Sequence, residues 1–169
     1  MECQCLVEPV SGPDLSRFFM KPNEMILAYL NANLNKPMRD SKNVGPVAIA
    51  LDGVLLAAQK GSLTAEFVVR EDQLNHANVL HGGVITTMLD EIMGMTLITE
   101  EISNLYVTIN LSVDFLYGAK LGEKVKVISE VIRVGKKVAN IEGKMYNEEG
   151  KLLAKASSNF AATSIPFTV

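Results

Sequence analysis

The stretch NHANVLHGGVITTMLDE spans residues 75–91 and contains the features that decide the fold. Gly82 and Gly83 open a long apolar segment, and its spacing of apolar residues predicts a helix through Thr99. An acid, Asp90, lies inside that helix. The stretch thus combines two glycines at a helix start with a carboxylate eight residues beyond the first of them.

The predicted helix has two different faces. Its apolar stripe is expected to lie in the core and comprises Ile85, Met88, Leu89, Ile92 and Met95. The residues off that stripe are small apart from one acid, and they are Gly83, Thr86, Thr87, Asp90 and Gly94. Such a strip suggests close packing against another element, for example a second subunit. The neighbouring residue Glu91 is expected to face water.

Segments with strand character surround this helix. They cover 47–59, 62–71, 105–117, 124–134, 137–147 and 151–164, with turns at Lys60-Gly61, Gly135-Lys136 and 147–150. Residues 105–117 alternate most clearly. Their predicted buried face carries Val107, Ile109, Leu111, Val113 and Phe115, and the opposite face carries Thr108, Asn110, Ser112 and Asp114. The order β-β-α-β-β-β-β predicts an α+β fold with one central helix and a five- to six-stranded antiparallel sheet.

Residues 1–43 are expected to form an N-terminal helical appendage, and residues 44–169 the main domain. Within the appendage, residues 14–20 suggest a short helical turn. A longer helix is predicted from Pro22 to Lys36-Pro37, with an apolar stripe of Ile26, Leu30 and Leu34.

Composition excludes several functional classes. The 169 residues suit one compact domain, with 48% hydrophobic residues, 21% charged residues and a net charge of −3. That charge argues against nucleic acid as a partner. No apolar run approaches the ~20 residues of a membrane span, and the start MECQCLVEPV does not resemble a signal peptide, so we expect a cytoplasmic protein. Cys3 and Cys5 are too few for a metal site and are expected to be reduced thiols.

A glycine pair at a helix start can serve chemistry, because the first backbone N–H groups of a helix lack partners and point at whatever lies there. They can polarise a carbonyl or hold an oxyanion. The alternative is a tight loop-to-helix turn, and for Asp90 the alternative is an acid facing water. Eight residues of helix separate Gly82 from Asp90 by about 12 Å, whereas a nucleophile must come within about 3.5 Å of its target. If both groups serve one site, two antiparallel copies must share it.

The stretch 75–91 resembles the signature of hotdog-fold acyl-CoA thioesterases, particularly their PaaI-like (phenylacetate-pathway type) branch. In that signature an Asn stands six residues before a His-Gly-Gly, and an Asp stands eight residues after the first Gly. Asn75, His81-Gly82-Gly83 and Asp90 match it, and the resemblance extends over about residues 46–163. It implies the hotdog fold and a dimer, or a dimer of dimers, with active sites between subunits.

The resemblance also implies residue roles. The Gly82 amide would polarise the thioester carbonyl, and Asp90 of the other subunit would act as nucleophile or general base. Asn75 would position water or substrate, His81 would orient the loop and carbonyl, and Thr108 aligns where some relatives carry a serine. Coenzyme A belongs to the substrate, and no cofactor or metal is expected. Further substrate-binding candidates are Gly83, Arg133, Lys136 and Lys137, although a basic turn is equally compatible with simple solvation.

Two other functions remain open. A hotdog hydratase-dehydratase would use a His and an acid as proton shuttles, usually with a different loop around that His. A non-catalytic acyl-CoA-binding module would have no use for a buried acid near an acyl chain, where burial is costly. His76 is expected to be an ordinary exposed loop histidine.

Overall fold

The computed structural model describes residues 21–41 and 43–167. Cys3, Cys5 and the helical turn expected at 14–20 lie outside this range. The helices are α1 (Pro22–Ala32), α2 (Pro46–Leu51) and α3 (Gly82–Leu97), and the strands are β1 (Val54–Gln59), β2 (Ser62–Val68), β3 (Asn104–Phe115), β4 (Lys124–Val134), β5 (Val138–Asn147) and β6 (Leu152–Pro166). No helix within these ranges is long and apolar enough to cross a membrane.

The six strands form one antiparallel sheet in the order β1-β2-β4-β5-β6-β3. Helix α3 packs against it, with Met88, Leu89 and Ile92 fully buried. At Gly143 of β5 the helix lies so near the sheet that a Cβ atom would lie 2.9 Å from the sulfur of Met93. The predicted hotdog architecture, a long helix wrapped by an antiparallel sheet, is confirmed.

The segment before β1 differs from the prediction. A strand was expected over residues 47–59, but Pro46–Leu51 forms the short helix α2. Proline at the first helical position favours this start, and Asp52 ends the helix in a left-handed conformation with φ 55°. The apolar run was too short for its periodicity to separate helix from strand.

Helix α1 packs on the same core as the sheet. It starts at Pro22, as predicted, but ends at Ala32 rather than near Lys36. Ile26 and Leu30 are buried, and Leu34 packs partly against the core. The chain after α1 runs beside β1, because the Asn35 amide donates to the Leu55 carbonyl at 2.9 Å.

Strand β3 breaks the expected alternation. Thr108 pairs with Phe160 and Asn110 pairs with Asn159, so Ile109 is an extra residue, a β-bulge. Directly paired residues point to the same face, and Phe160 is buried in the core. Thr108 therefore faces α3 instead of the outer surface.

The single buried face predicted for β3 is consequently wrong in its first half. Val107 is 52% exposed and Ile109 is 58% exposed, whereas Leu111 and Val113 beyond the bulge do pack partly against the core. Phe115 lies on the α3 side but is also largely exposed. Because β3 is an edge strand, its unpaired backbone and exposed apolar side chains leave it free to pair with another chain.

Candidate active site

The start of α3 is organised by His81. This residue is the helix N-cap, and its Nδ1 accepts a hydrogen bond from the Gly83 amide at 2.9 Å. Its own amide donates to the Gln73 carbonyl at 2.9 Å, which ties the loop to the helix. Because Nδ1 is an acceptor here, the neutral ring carries its proton on Nε2, on an exposed side chain.

The Gly82 amide is left as a donor. Within residues 21–41 and 43–167 it has no hydrogen-bond acceptor, while the Gly83 amide is taken by His81. The ring of Phe115 borders Gly82, at 3.4 Å from the position of a Cβ atom. The geometry thus presents one unpaired N–H at the positive end of a 16-residue helix.

Asn75 stabilises the loop before this helix. Its Oδ1 accepts hydrogen bonds from the amides of Ala77 at 2.9 Å and Val79 at 3.3 Å. This turn brings Asn78 into a left-handed conformation with φ 57°. In the described part of the chain the Asn75 Nδ2 group has no acceptor, so it can donate to a ligand. The neighbouring His76 is exposed.

Asp90 and Thr108 form a pair eight residues along α3. The Thr108 hydroxyl donates to Asp90 Oδ1 at 3.0 Å. The bulge at Ile109 makes this contact possible, since it turns Thr108 towards α3. Bulges commonly re-aim a side chain in this way beside functional sites.

The burial of Glu91 differs from the prediction. The prediction was a solvated acid, but its side chain is half-buried and borders the same cleft as Asp90. Burial, and secondarily the charge of Asp90, raise the pKa of the Glu91 carboxyl above its ordinary value. Its position one residue after Asp90 gave no signal of this, because the cleft is formed by elements distant in sequence.

An open cleft of about 1140 Å³ lies beside Asp90 in the single chain. Asp90, Glu91 and Thr108 line one side of it, and α1 lines the other. Tyr106, which sequence reasoning did not single out, also borders the cleft, and its hydroxyl donates to the Gly135 carbonyl at 2.8 Å.

The basic candidates lie near that contact. Arg133, Lys136 and Lys137 are exposed around the β4–β5 turn that contains Gly135, and none has an ion-pair partner among the residues the structure describes. Lys124, by contrast, is paired with Glu66 at 3.0 Å. The described ranges hold no cluster of three or more metal-ligating side chains.

The chain therefore carries two separated groups of polar atoms. The Gly82 amide, His81 and Asn75 lie at the start of α3, and Asp90 with Thr108 lies two turns further on. The intervening eight residues correspond to about 12 Å along the helix axis. One copy of the chain cannot bring both groups to the same reacting atom.

This arrangement, a long helix with a glycine start packed in an antiparallel sheet, defines a hotdog-fold protein of the thioesterase type. The thioesterase superfamily model matches residues 77–154. A solved structure from Ralstonia eutropha JMP134, a putative thioesterase described as phenylacetic acid degradation-related, is 30% identical. It matches with a TM-score of 0.65 over 74% of this chain and 96% of that one. The chain belongs to the thioesterase superfamily, in its PaaI-like branch.

Two further relatives match over different lengths. Acyl-coenzyme A thioesterase 13 of Homo sapiens is 31% identical over 79 residues, which are 47% of this chain and 56% of that protein. The chain thus spans a little over half the length of this curated relative. A hypothetical thioesterase of Streptococcus pneumoniae TIGR4, solved with coenzyme A, has 24% identity and a TM-score of 0.65 over 69% of this chain and 91% of that one. At that identity the likeness concerns the fold.

Proposed function

We propose that this protein is an acyl-CoA thioesterase that hydrolyses an acyl-CoA to a carboxylic acid and free coenzyme A. The observation that carries the proposal is the Asp90 carboxylate, held by Thr108 and bordering a large cleft. Membership of the thioesterase superfamily supports the reaction class. The human relative's name, acyl-coenzyme A thioesterase 13, and the coenzyme A in the Streptococcus pneumoniae structure support the thiol.

Two subunits would share each active site. The Gly82 amide of one copy and the Asp90 of the other would meet if two α3 helices run antiparallel across a two-fold axis. The exposed edge strand β3, with Val107 and Ile109 uncovered in the single chain, offers the surface for such a dimer. A dimer, or a dimer of dimers, is thus part of the proposal, as is a cytoplasmic location.

Groups at the start of α3 would bind the thioester carbonyl. The unpaired Gly82 N–H would donate to the thioester oxygen and hold the negative charge that develops there. The Nε2–H of His81 is a second donor and would help to orient the carbonyl. The free Nδ2 of Asn75 would position water or the substrate.

Asp90 of the other copy would supply the nucleophile or activate it. Asp90 either accepts a proton from the attacking water or attacks the carbonyl itself to form an anhydride that water then cleaves. In both routes the C–S bond breaks and the sulfur leaves as the thiolate, which takes up a proton. The Thr108 hydroxyl, which donates to Asp90 Oδ1 at 3.0 Å, would keep this carboxylate in one orientation and would also contact the attacking water.

The coenzyme A moiety would be held by its phosphates. Arg133, Lys136 and Lys137 have no competing ion pair in the described ranges and surround the turn beside Tyr106. Gly83, the remaining substrate-binding candidate, would let the substrate come close to the backbone but would not donate a hydrogen bond to it, because its amide already donates to His81. The proposed chemistry requires no cofactor, since coenzyme A is part of the substrate.

Release of free thiol from a panel of short, long and aromatic acyl-CoAs tests this function. Wild type is compared with Asp90→Asn and with Asp40→Asn, a matched change of an exposed acid outside the cleft. We expect turnover by wild type and Asp40→Asn and a loss of about 100-fold or more in kcat for Asp90→Asn. If wild type and both variants bind acyl-CoA but none of them releases thiol, the protein is instead a non-catalytic binding module.

A further inference from the structure

The turn between β4 and β5 is held by a side chain from β3. Tyr106 donates a hydrogen bond from its hydroxyl to the Gly135 carbonyl in this turn at 2.8 Å. In the sheet, Tyr106 pairs with Ala162 of β6. The neighbouring Ala161 pairs with Val138, the first residue of β5. Strand β6 therefore lies between Tyr106 and the turn, and the phenol reaches across it.

A backbone hydrogen bond holds the turn at a second point. The Ala162 amide donates to the Lys137 carbonyl at 2.9 Å. Because Ala162 is the register partner of Tyr106, both contacts start from one residue pair of the β3–β6 ladder. The two accepting carbonyls belong to Gly135 and Lys137, so the backbone is fixed on either side of Lys136.

The turn itself is compact. The Gly135 amide donates to the Val138 carbonyl at 2.9 Å, which closes the chain around Lys136 and Lys137. A Cβ atom on Gly135 would lie 3.0 Å from the same oxygen, so the chain comes close to itself at a residue without a side chain. Because the turn is closed on itself, a contact that fixes the Gly135 carbonyl also fixes the backbone of the two lysines.

The two lysines need such support if they are to bind an anion together. Both are exposed, and among the residues the structure describes neither has an acidic partner at ion-pair distance. Adjacent ammonium groups repel each other, and long side chains lose rotamer freedom when they bind a ligand. A backbone that is already ordered reduces the freedom that remains to be lost on binding.

The Tyr106 hydroxyl has a single contact to explain it. The half-buried ring packs against the core, a place that a phenylalanine would fill equally well. Within residues 21–41 and 43–167 the Gly135 carbonyl is the hydrogen-bond partner of this hydroxyl. Tyr106 also lies two residues before Thr108 on β3, so both side chains are on the same face of that strand. One strand thus holds the lysine turn and the hydroxyl that contacts Asp90.

We propose that Tyr106 is a positioning residue for the substrate: through the Gly135 carbonyl it holds Lys136 and Lys137 where they meet the phosphates of coenzyme A. Tyr106 touches no phosphate itself and takes no part in the breaking of the thioester. This inference rests on the proposed function, in which the β4–β5 turn binds coenzyme A, and it names the residue that orders this turn.

The first experiment measures the affinity for coenzyme A itself, which does not depend on turnover. Tyr106→Phe removes the hydroxyl and keeps the ring, and Tyr146→Phe is the matched control at the opposite end of β5. Calorimetric titration gives the Kd, and thermal melting shows that all three proteins are folded. We expect Tyr106→Phe to bind about two- to tenfold more weakly than wild type, because one neutral hydrogen bond orders the turn. Tyr146→Phe should bind like wild type.

The second experiment separates positioning of the turn from a general effect on the fold. Each protein is assayed with an acyl-CoA that wild type hydrolyses and with the pantetheine thioester of the same acyl group, which lacks the phosphates and the nucleotide. We expect kcat/KM of Tyr106→Phe to fall for the acyl-CoA by the same factor as the affinity. For the pantetheine thioester it should stay at the wild-type value. A disturbed fold would instead lower both.

The third experiment asks whether Tyr106 acts through the lysines. The double variant Lys136→Ala, Lys137→Ala is titrated with coenzyme A with and without Tyr106→Phe. If the hydroxyl serves to place the two ammonium groups, its removal has no further effect once they are gone, and the two effects on binding free energy are not additive.

The outcomes separate this inference from the proposed function. Three results overturn the positioning role: equal coenzyme A affinity of Tyr106→Phe and wild type, a loss of activity shared by the pantetheine thioester, or an equal loss of affinity with and without the lysines. Thiol release by wild type leaves the thioesterase function intact in each case. Conversely, the expected order of affinities without thiol release from any acyl-CoA overturns the hydrolysis and leaves the positioning role. If wild type does not bind coenzyme A, both fail.

Discussion

The Gly82 amide can be removed without changing a side chain that matters for folding. Gly82→Pro deletes this N–H, and proline is well tolerated at the first position of a helix. His81, the residue before it, has φ −64° and ψ 134°, the extended conformation that a following proline requires. Gly82→Ala is the matched control, because it keeps the N–H and its Cβ would lie 3.4 Å from Phe115, an ordinary contact.

Loss of a single oxyanion donor costs about 2.7–4 kcal/mol of transition-state stabilisation, or about 100- to 1,000-fold in kcat. We expect a decrease of that size for Gly82→Pro and only a few-fold decrease for Gly82→Ala. Thiol release at saturating acyl-CoA measures kcat, and thermal melting monitors folding. If both variants melt alike and Gly82→Pro turns over as fast as Gly82→Ala, the amide does not act on the carbonyl and the reasoning is refuted.

Three other changes have defined outcomes. Thr108→Val removes the hydrogen bond to Asp90, which is worth about 1.5–3 kcal/mol for a charged acceptor. We therefore expect kcat to fall about 10- to 150-fold, whereas Thr108→Ser should retain most activity. Equal rates for the two variants would contradict the role of the hydroxyl. His81→Ala removes the helix cap and should lower the free energy of unfolding, measured by chemical denaturation, by about 1 kcal/mol. His81→Asn keeps a good capping residue and should have the wild-type free energy of unfolding. Equal losses of this free energy in the two variants would argue against capping. The raised pKa of Glu91 means that its contribution to stability is present at low pH and lost as the pH rises through that pKa. The melting temperature of Glu91→Gln should therefore exceed that of wild type by more at about pH 7 than at about pH 4, and a difference independent of pH would exclude this cause.

Much of the fold could be predicted because its signals are local. The start of α3 at Gly82 follows from a glycine pair before an apolar period of 3.6, and the turns at Lys60-Gly61 and Gly135-Lys136 follow from glycine between alternating segments. Residues 47–51 were misassigned, because a five-residue apolar run fits either a strand or a helix.

The candidate site was only partly accessible from sequence. The helical spacing alone predicted that Gly82 and Asp90 lie too far apart to act together within one copy. The contact between Asp90 and Thr108, however, depends on the bulge at Ile109, which no local pattern in β3 signals. The half-burial of Glu91 and the wall formed by α1 arise from the packing of elements about 60 residues apart in the chain. Such long-range contacts are set by tertiary packing and not by local periodicity.

Mixing two inactive variants measures directly whether two copies share each site. Asp90→Asn and Gly82→Pro are produced together in equal amounts and assayed for thiol release. In a shared-site dimer, about half of the dimers contain one copy of each variant, and one of the two sites in these mixed dimers is intact. Activity should then recover to about one quarter of the wild-type value. If the mixture is no more active than the separate variants although mixed dimers have formed, Gly82 and Asp90 do not serve one site across two subunits.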